Sequence, residues 1–172
     1  EAARLIGRGF VAYLNAKRIA VSRDMRLSSP SMAAAFIEGA RAQGADVVDY
    51  GMMGTDMMYF AVARDGHDGG AQITASHNPK QYNGIKLVRR EAFPLSGEAG
   101  LSDIRDMITS NTLPPEAAVP AGLSTMAVMD DYVKHVMKFI DPSIIKPFNV
   151  VLDAGNGIAG MVAPKLFEKL PC

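Results

Sequence analysis

The stretch from Asp68 to Leu87, DGGAQITASHNPKQYNGIKL, decides the fold class. Within it, Ala71–Ala75 is a short apolar run that predicts a buried strand, and Ile85–Val88 predicts a second strand. The loop between them, Ser76–Gly84, is too short for a helical crossover. The two strands should therefore run antiparallel if they are neighbours in the sheet.

On the N-terminal side of this stretch, predicted helices and strands alternate. The predicted pairs, each helix before its strand, are Ala2–Lys17 with Arg18–Ser22, Pro30–Ala42 with Asp46–Tyr50, and Thr55–Ala63 with Ala71–Ala75. Ser29 is the predicted N-terminal cap of the second helix, and Gly44 follows its end. Such alternation is typical of an α/β fold, and we expect a three-layer α/β/α domain with a mixed, mostly parallel sheet.

The C-terminal third of the sequence predicts a domain boundary. An amphipathic helix over Gly100–Ser110 is followed by Asn111–Thr125, which contains three prolines and is predicted to be a linker. Beyond it we expect a helix over Met126–Ile140, a strand over Phe148–Asp153 and a helix over Met161–Leu170. The sequence thus predicts a first domain at 1–125, and at 126–172 a connecting helix and the opening β-α unit of a second, similar domain cut short.

Composition excludes several classes of protein. The chain has 172 residues, of which 48% are hydrophobic and 21% charged, as in soluble globular proteins. Eighteen basic residues balance eighteen acidic ones, so neither nucleic acid nor an anionic membrane is an expected partner. The lone cysteine, Cys172, excludes an internal disulfide and a cysteine zinc cluster. With no signal peptide or spanning segment in the sequence, a cytoplasmic location is expected.

Ser76 is the candidate for chemistry. It follows a predicted strand, on a loop that Pro79 stiffens, and ligands of α/β sheets gather at the carboxyl ends of strands. It could act as a nucleophile or a phosphate carrier, although such residues are also common in plain turns. A hydrolase triad of Ser76, His77 and either Asp68 or Asp24 is disfavoured, because adjacent residues project in different directions and no G-x-S-x-G elbow is present.

Three other patterns compete for a function. Asp65, His67 and Asp68 could ligate a metal, although DGHDGG is also typical of a solvated turn. Arg23, Asp24 and Arg26 could form a surface ion-pair cluster. The run 155–160, GNGIAG, satisfies the dinucleotide fingerprint G-x-G-x-x-G, but the second strand and ribose-binding acid that such a site needs do not follow it.

Several segments resemble one family of enzymes. TASHNPKQYNGIKL at 74–87 closely resembles the active-site loop of the α-D-phosphohexomutases, in the phosphomannomutase/phosphoglucomutase group. VSRDMRLSSP at 21–30, FPLSGEAGL at 93–101 and VVLDAGNGIAG at 150–160 are similar to further motifs of that family, in the same order. The resemblance covers nearly the whole chain, and the serine loop is its most specific part.

The resemblance implies an activity and a carrier residue. The family interconverts hexose 1-phosphates and hexose 6-phosphates through a hexose 1,6-bisphosphate, so small hexose phosphates are the expected partners. By this resemblance Ser76 is phosphorylated in the resting enzyme, and an oxygen of its phosphate is a ligand of Mg²⁺. Phosphoryl transfer mainly requires positioning and charge neutralisation, which a serine on a rigid loop near cations can provide.

The resemblance also suggests roles for the neighbours of Ser76. Arg23, Arg26 and His77 are expected to help hold the phosphate, and Asn78 is expected to contact the phosphate or brace the loop. Lys86 matches a lysine implied in proton transfer at the sugar hydroxyl. Its apolar neighbours would favour that role by partial desolvation, whereas strand alternation alone predicts a solvated surface lysine.

The expected site is incomplete within this sequence. The family's Asp-rich loop, D-x-D-x-D-R, which completes its magnesium site, is not found here, nor are the motifs that bind the sugar. We therefore expect this chain to carry the phosphorylated serine without completing turnover alone. Two other classes of function stay open: a phosphosugar phosphatase or phosphotransferase, and a non-catalytic module that binds phosphosugars.

Overall fold

The computed structural model describes residues 1–97 and 100–172. It divides into two compact units, Glu1–Met126 and Ala127–Cys172. The first unit consists, in chain order, of α1 (Ala2–Leu14), β1 (Arg18–Arg23), α2 (Ser29–Ala42), β2 (Asp46–Met52), α3 (Thr55–Arg64), β3 (Gly69–Ile73), β4 (Ile85–Arg89), a 3-10 helix (Arg90–Ala92), α4 (Leu101–Thr109) and β5 (Leu123–Thr125). The second unit has α5 (Met129–Met137), a 3-10 helix (Pro142–Ile144) and α6 (Ala159–Phe167). None of the described helices is long and apolar enough to cross a membrane.

The five strands form one mixed sheet in the order β4-β3-β1-β2-β5. Neighbouring strands are parallel across β3, β1, β2 and β5, and β4 runs antiparallel to β3. The short loop after β3 explains this reversal, since a parallel neighbour would need a crossover connection. The predicted mixed, mostly parallel sheet is confirmed.

Helices cover both faces of the sheet, and two consecutive glycines of β3 demonstrate it. A Cβ on Gly69 would lie 2.8 Å from the Phe10 ring of α1, whereas one on Gly70 would lie 2.5 Å from Val62 of α3. Because successive strand residues point to opposite faces, α1 and α3 must pack on opposite sides. The first unit therefore has the predicted three-layer α/β/α architecture.

The main apolar core lies on the α1 side of the sheet. Phe10 and Phe36 are both fully buried there, with ring centroids 6.0 Å apart, and they join α1 to α2. Burial of such a side chain stabilises the fold by about 1.5–3 kcal/mol. The strand residues that complete this core are Ile19, Val21, Val47, Ala71, Ile73 and Leu87.

Two helix ends differ from the prediction. The first helix ends at Leu14 rather than continuing to Lys17, because Asn15 adopts the left-handed conformation with φ 48° and closes the helix. The second helix already includes Ser29, and its N-cap residue is Ser28. The predicted cap role of Ser29 is wrong, since its hydroxyl donates a hydrogen bond to Asp24 Oδ1 over 2.5 Å.

The predicted linker Asn111–Thr125 ends in a strand, β5, at the edge of the sheet. Val47 pairs with Leu123 and Asp49 with Thr125, in parallel register. Before this strand the chain is fixed to α2, because the Arg41 side chain donates to the Ala121 carbonyl over 2.7 Å. Three prolines and a strand of only three residues hide this element from a periodicity argument.

The predicted strand Phe148–Asp153 is not a strand in the structure. Val151 is 97% exposed, and the described residues provide no pairing partner for the segment. A strand requires hydrogen bonds to a neighbour, so apolar composition alone does not create one. The helix that follows begins at Ala159, two residues before the predicted start.

Candidate functional site

The candidate site lies at the carboxyl ends of β1 and β3. These strands are parallel neighbours, so the segments that leave them meet at one edge of the sheet. The backbone N–H of Asp24, directly after β1, donates to the Ile73 carbonyl over 2.9 Å. At the base of the next loop, the Thr74 N–H donates to the Gly84 carbonyl over 2.9 Å. The sheet thereby holds the loop after β1 beside the loop 76–84.

Ser76 is exposed on this second loop, in a conformation that few serines adopt. Its φ is 51°, in the left-handed region, and its backbone N–H donates to Thr74 Oγ1 over 3.0 Å. The left-handed conformation costs an L-residue roughly 1–2 kcal/mol, which the surrounding contacts must offset. Within the described chain the Ser76 hydroxyl has no hydrogen-bond partner, so its oxygen is available for chemistry.

Asn78 braces the loop from within. Its backbone N–H and its side-chain amide both donate to the Ala75 carbonyl, each over 3.0 Å. The sequence left a phosphate contact and a bracing role open for Asn78, and the bracing contacts are present. His77, next to it, is exposed.

Arg26, in the segment after β1, binds the backbone of the same loop, 76–84. Its Nε donates to Asp24 Oδ2 over 3.1 Å, and both side chains are nearly buried. Its two terminal nitrogens donate to four backbone carbonyls of the loop at 2.7–3.1 Å, namely those of Ser76, Asn78, Pro79 and Tyr82. Of the predicted surface cluster, the ion pair of Asp24 and Arg26 is therefore present, but it is partly buried and Arg23 has no ion pair in it among the described residues.

The two remaining predicted cations are placed differently. Arg23, the last residue of β1, is half-buried, and its guanidinium has no hydrogen bond or ion pair among the described residues. Lys86 lies on the edge strand β4, opposite Gln72, and its side chain is exposed. The partial desolvation expected for Lys86 is therefore not found among the described residues, because the side chain is exposed.

Asn83 makes a link that sequence reasoning missed. Its side-chain N–H groups donate to the hydroxyls of Ser28 and Ser29 over 2.8 and 2.9 Å. Its side-chain oxygen Oδ1 accepts the Gly84 N–H over 2.8 Å. The start of α2 is thus tied to the end of the serine loop. The sequence indicated only a turn at Asn83, and nothing in it announces serine partners more than fifty residues away.

A buried polar pair, Ser22 and Gln72, lies under the site between β1 and β3. The Ser22 hydroxyl donates to Gln72 Oε1, and the Gln72 amide donates to the Met53 carbonyl over 3.0 Å. The Met53 N–H in turn donates to the Arg23 carbonyl over 3.0 Å. The loop before α3 is therefore fixed to the ends of both strands.

The described residues do not by themselves form a metal site. They contain no group of three or more His, Cys, Asp or Glu residues placed to hold an ion. The predicted alternative cluster is dispersed: Asp65 binds Tyr50 and Arg64, and Asp68 accepts the backbone N–H groups of Lys17 and Arg18. Beside Ser76, the Asp24 carboxylate is occupied by Arg26 and Ser29.

The structure describes only part of the segment 93–101, which resembles a motif of the family. Glu98 and Ala99 lie outside the described residues. Leu95 is buried against the core, and its N–H donates to the Leu87 carbonyl over 2.9 Å. The described part of this motif therefore serves to pack the chain against β4.

An apolar groove of about 520 Å³ lies beside this edge of the unit. Residues of α1, α4 and β4 line it, and Asn83 and Gly84 belong to its wall, but Ser76, His77 and Lys86 do not. An apolar lining suits neither a phosphate nor a sugar. The candidate site is thus defined by the serine loop.

Comparison with known proteins shows which family of proteins this chain is similar to. The sequence profile described as "Phosphoglucomutase/phosphomannomutase, alpha/beta/alpha domain I" matches residues 1–115. A phosphomannomutase of Escherichia coli is 42% identical over 166 residues, which span 95% of this chain and 36% of that protein. A Xanthomonas campestris protein named "Phosphohexose mutases" is 38% identical over 174 residues, or 99% of this chain and 38% of its own length.

A solved structure agrees with the fold. The crystal structure of a phosphoglucomutase/phosphomannomutase family protein from Burkholderia thailandensis superposes with a TM-score of 0.84 and 34% sequence identity. The match covers 99% of this chain and 38% of that protein. The chain therefore spans little more than a third of the length of the relatives it matches.

Proposed function

The chain belongs to the phosphoglucomutase/phosphomannomutase family, and on that basis we propose that Ser76 carries the phosphoryl group of a phosphohexomutase. The substrates would be hexose 1-phosphates and hexose 6-phosphates, of mannose or glucose. The relatives named phosphomannomutase and phosphohexose mutases support this class. The chain covers only about a third of their length, so turnover is assigned to the intact protein.

One observation carries the proposal. The Ser76 hydroxyl is exposed and unbonded within the described chain, whereas the backbone that bears it is fixed by Thr74, Asn78 and Arg26. A group carrier needs a free reactive atom on a rigid support, because a displaced nucleophile loses much of its rate. A plain surface turn has no need of so many hydrogen bonds to its backbone.

The proposed reaction consists of two phosphoryl transfers. In the first, the bond between Ser76 Oγ and phosphorus breaks and a bond from phosphorus to the free sugar hydroxyl oxygen forms. That hydroxyl loses its proton, and Ser76 Oγ takes one up. The product is a hexose 1,6-bisphosphate. In the second, the other phosphoryl group of the bisphosphate moves to Ser76 Oγ, which loses its proton, and the sugar oxygen that the group leaves takes up a proton. The sugar phosphate is isomerised and the phosphoserine is restored.

The neighbours of Ser76 take roles that follow from their contacts. Arg23 has no partner among the described side chains and is proposed to hold phosphate oxygens, and exposed His77 is proposed to assist. Lys86 is proposed to receive or return the sugar hydroxyl proton. Desolvation of Lys86 would favour this role, and a surface outside the described residues would have to supply it.

Mg²⁺ belongs to the proposal through the phosphate on Ser76. A divalent ion would neutralise part of the charge of the transferring group. Because the described residues include no group of three or more His, Cys, Asp or Glu side chains placed to hold an ion, the phosphate is the ligand that this part of the chain would contribute.

The test is to locate the phosphate and follow its fate. The intact protein is incubated with a hexose 1,6-bisphosphate, and intact-mass measurement with peptide mapping then looks for phosphate on Ser76. Isomerisation of hexose 1-phosphate is assayed with Ser76→Ala, and with Ser110→Ala as the control at an exposed serine outside the site. We expect Ser76→Ala to lose on the order of 10³-fold or more in rate, and the control to lose none.

The outcomes separate the classes. Phosphate on Ser76 with bisphosphate-stimulated isomerisation supports the mutase. Release of inorganic phosphate without isomerisation indicates a phosphatase or phosphotransferase. Unchanged activity in Ser76→Ala, or binding of hexose phosphates with no phosphate ever found on Ser76, contradicts the proposal and favours a non-catalytic phosphosugar-binding module.

A further inference from the structure

The Arg26 guanidinium has no donor left for a substrate. A guanidinium carries five N–H groups, one on Nε and two on each terminal nitrogen. The Nε group is directed at Asp24, Nη1 at the carbonyls of Pro79 and Tyr82, and Nη2 at the carbonyls of Ser76 and Asn78. A phosphate could bind this side chain only by displacing contacts that hold the loop.

Asp24 fixes the guanidinium in that orientation. Its Oδ2 accepts Arg26 Nε, while its Oδ1 accepts the Arg26 backbone N–H over 3.0 Å and the Ser29 hydroxyl over 2.5 Å. Asp24 is 8% exposed, and its own N–H is bound to the end of β3. A partly buried, charge-assisted pair of this kind is stronger than a surface pair.

Arg23 and Arg26 are therefore not equivalent, although the sequence predicts the same phosphate role for both. The Arg23 guanidinium makes no hydrogen bond to a described side chain. All five guanidinium N–H groups of Arg26 donate to backbone carbonyls or to the Asp24 carboxylate. A free guanidinium can bind an incoming anion at no structural cost. An occupied one acts through what it holds.

We infer that Asp24 and Arg26 form a positioning pair that sets the backbone of residues 76–82, and that Arg23 is the arginine that contacts phosphate. The inference rests on the proposed function of Ser76. The pair holds the carbonyl of Ser76 itself, so the direction of the reactive hydroxyl depends on it. Arg26 is a positioning residue and does not ligate the substrate.

The test uses the intact protein with Arg26→Lys, Asp24→Asn and Arg23→Gln. The control is Arg105→Lys, at an exposed arginine whose partner among the described residues is its neighbour Asp106. A lysine is a single point donor and cannot span four carbonyls. We expect Arg26→Lys to lower kcat on the order of 10²-fold with KM nearly unchanged. Asp24→Asn, which keeps one oxygen acceptor, should act in the same direction more weakly, and Arg23→Gln should mainly raise KM.

Amide hydrogen exchange supplies a readout independent of catalysis. The N–H groups of Asn78 and Tyr82 donate inside the loop, to Ala75 and Pro79. They should exchange about tenfold faster in Arg26→Lys and Asp24→Asn, and unchanged in Arg23→Gln and Arg105→Lys. Unchanged exchange in both Arg26→Lys and Asp24→Asn overturns the inference, as does a rise in KM alone for Arg26→Lys.

The exchange measurement also separates this inference from the proposed function. If Ser76 is never phosphorylated, the proposed function fails, and faster exchange in Arg26→Lys still establishes the positioning of the loop. If Ser76 is phosphorylated but exchange is unaffected by either variant, the positioning pair fails and the proposed function stands.

Discussion

The Tyr50 hydroxyl lies 2.9 Å from Nε2 of His67, in the buried interior of the first unit. The same hydroxyl donates its proton to Asp65, so Nε2 must be the donor in the contact with Tyr50. His67 is fully buried, and its Nδ1 has no hydrogen-bond partner among the described groups. We therefore assign His67 as a neutral imidazole with its proton on Nε2 and with no hydrogen-bond partner for Nδ1 among the described groups.

This arrangement predicts a loss of stability on mild acidification. Burial lowers the pKa of His67 below its ordinary 6.5, so the unfolded chain binds the proton before the folded chain does. The contribution of His67 to the free energy of unfolding should be constant above about pH 7 and fall as the pH drops below about 6.5. Urea unfolding of His67→Gln, which retains an N–H donor, should show a flatter profile over that window.

The carboxylates nearby respond at lower pH and do not obscure the measurement. Burial acts to raise the pKa of Asp65, but hydrogen bonds from Arg64 and Tyr50 outweigh it, and the pKa lies below the ordinary 3.8. Stability due to Asp65 is thus present above about pH 4 and lost only below it. Equal profiles for the parent and His67→Gln between about pH 5 and pH 7 would contradict the assignment to His67.

Gly70 is predicted to tolerate no side chain. A Cβ there would lie 2.5 Å from Val62 Cγ2 and 2.8 Å from Met58 Sδ, so α3 would have to move away from the sheet. Gly70→Ala should lower the free energy of unfolding by about 1–3 kcal/mol, the usual cost of overpacking. Gly97→Ala, where a Cβ would meet none of the described atoms within 4 Å, is the matched control in denaturant titration. Equal midpoints for the two variants would refute the packing of α3 on β3.

The left-handed backbone at Ser76 predicts an unusual ranking of substitutions. Both Ser76→Gly and Ser76→Ala remove the hydroxyl, but only glycine adopts φ near 51° without a steric cost. Ser76→Gly should be about 1 kcal/mol more stable than Ser76→Ala in thermal or urea unfolding. At His77, which has no positive φ, the same pair of substitutions should rank the other way. Alanine as the more stable choice at both positions would argue against the strained serine.

The buried pair Ser22 and Gln72 predicts energetic coupling. Gln72→Leu leaves the Ser22 hydroxyl and the Met53 carbonyl without partners and should cost about 1–3 kcal/mol of unfolding free energy. The double variant Ser22→Ala/Gln72→Leu should cost less than the sum of the single variants, by about 0.5 kcal/mol or more. Strict additivity in a double-mutant cycle by urea unfolding would show that the two side chains do not share a hydrogen bond.

The sequence predicted the sheet well where local rules apply. The loop 76–84 is short, and its length indicated that β4 runs antiparallel to β3 if the two strands are neighbours, which they are. The apolar runs of β1 and β2 are buried in parallel strands, where such runs are expected. Ser76 was located at the end of a strand by the same local reasoning.

The elements that sequence missed depend on distant partners. The four carbonyls that Arg26 binds come fifty or more residues later in the chain, and a carbonyl has no residue type that a motif could reveal. The strand β5 exists because β2 offers it an edge, and the apolar run 148–153 is no strand because the described residues offer it none. Pairing is a property of two segments, and a pattern in one of them shows only half of it.

Arg26 holds backbone atoms of the serine loop and no side chain of it, which separates the shape of that loop from its composition. The side chains of Lys80 and Gln81 are exposed and make none of these contacts. Evolution or engineering can therefore exchange these two residues while the backbone that bears the Ser76 hydroxyl keeps its place.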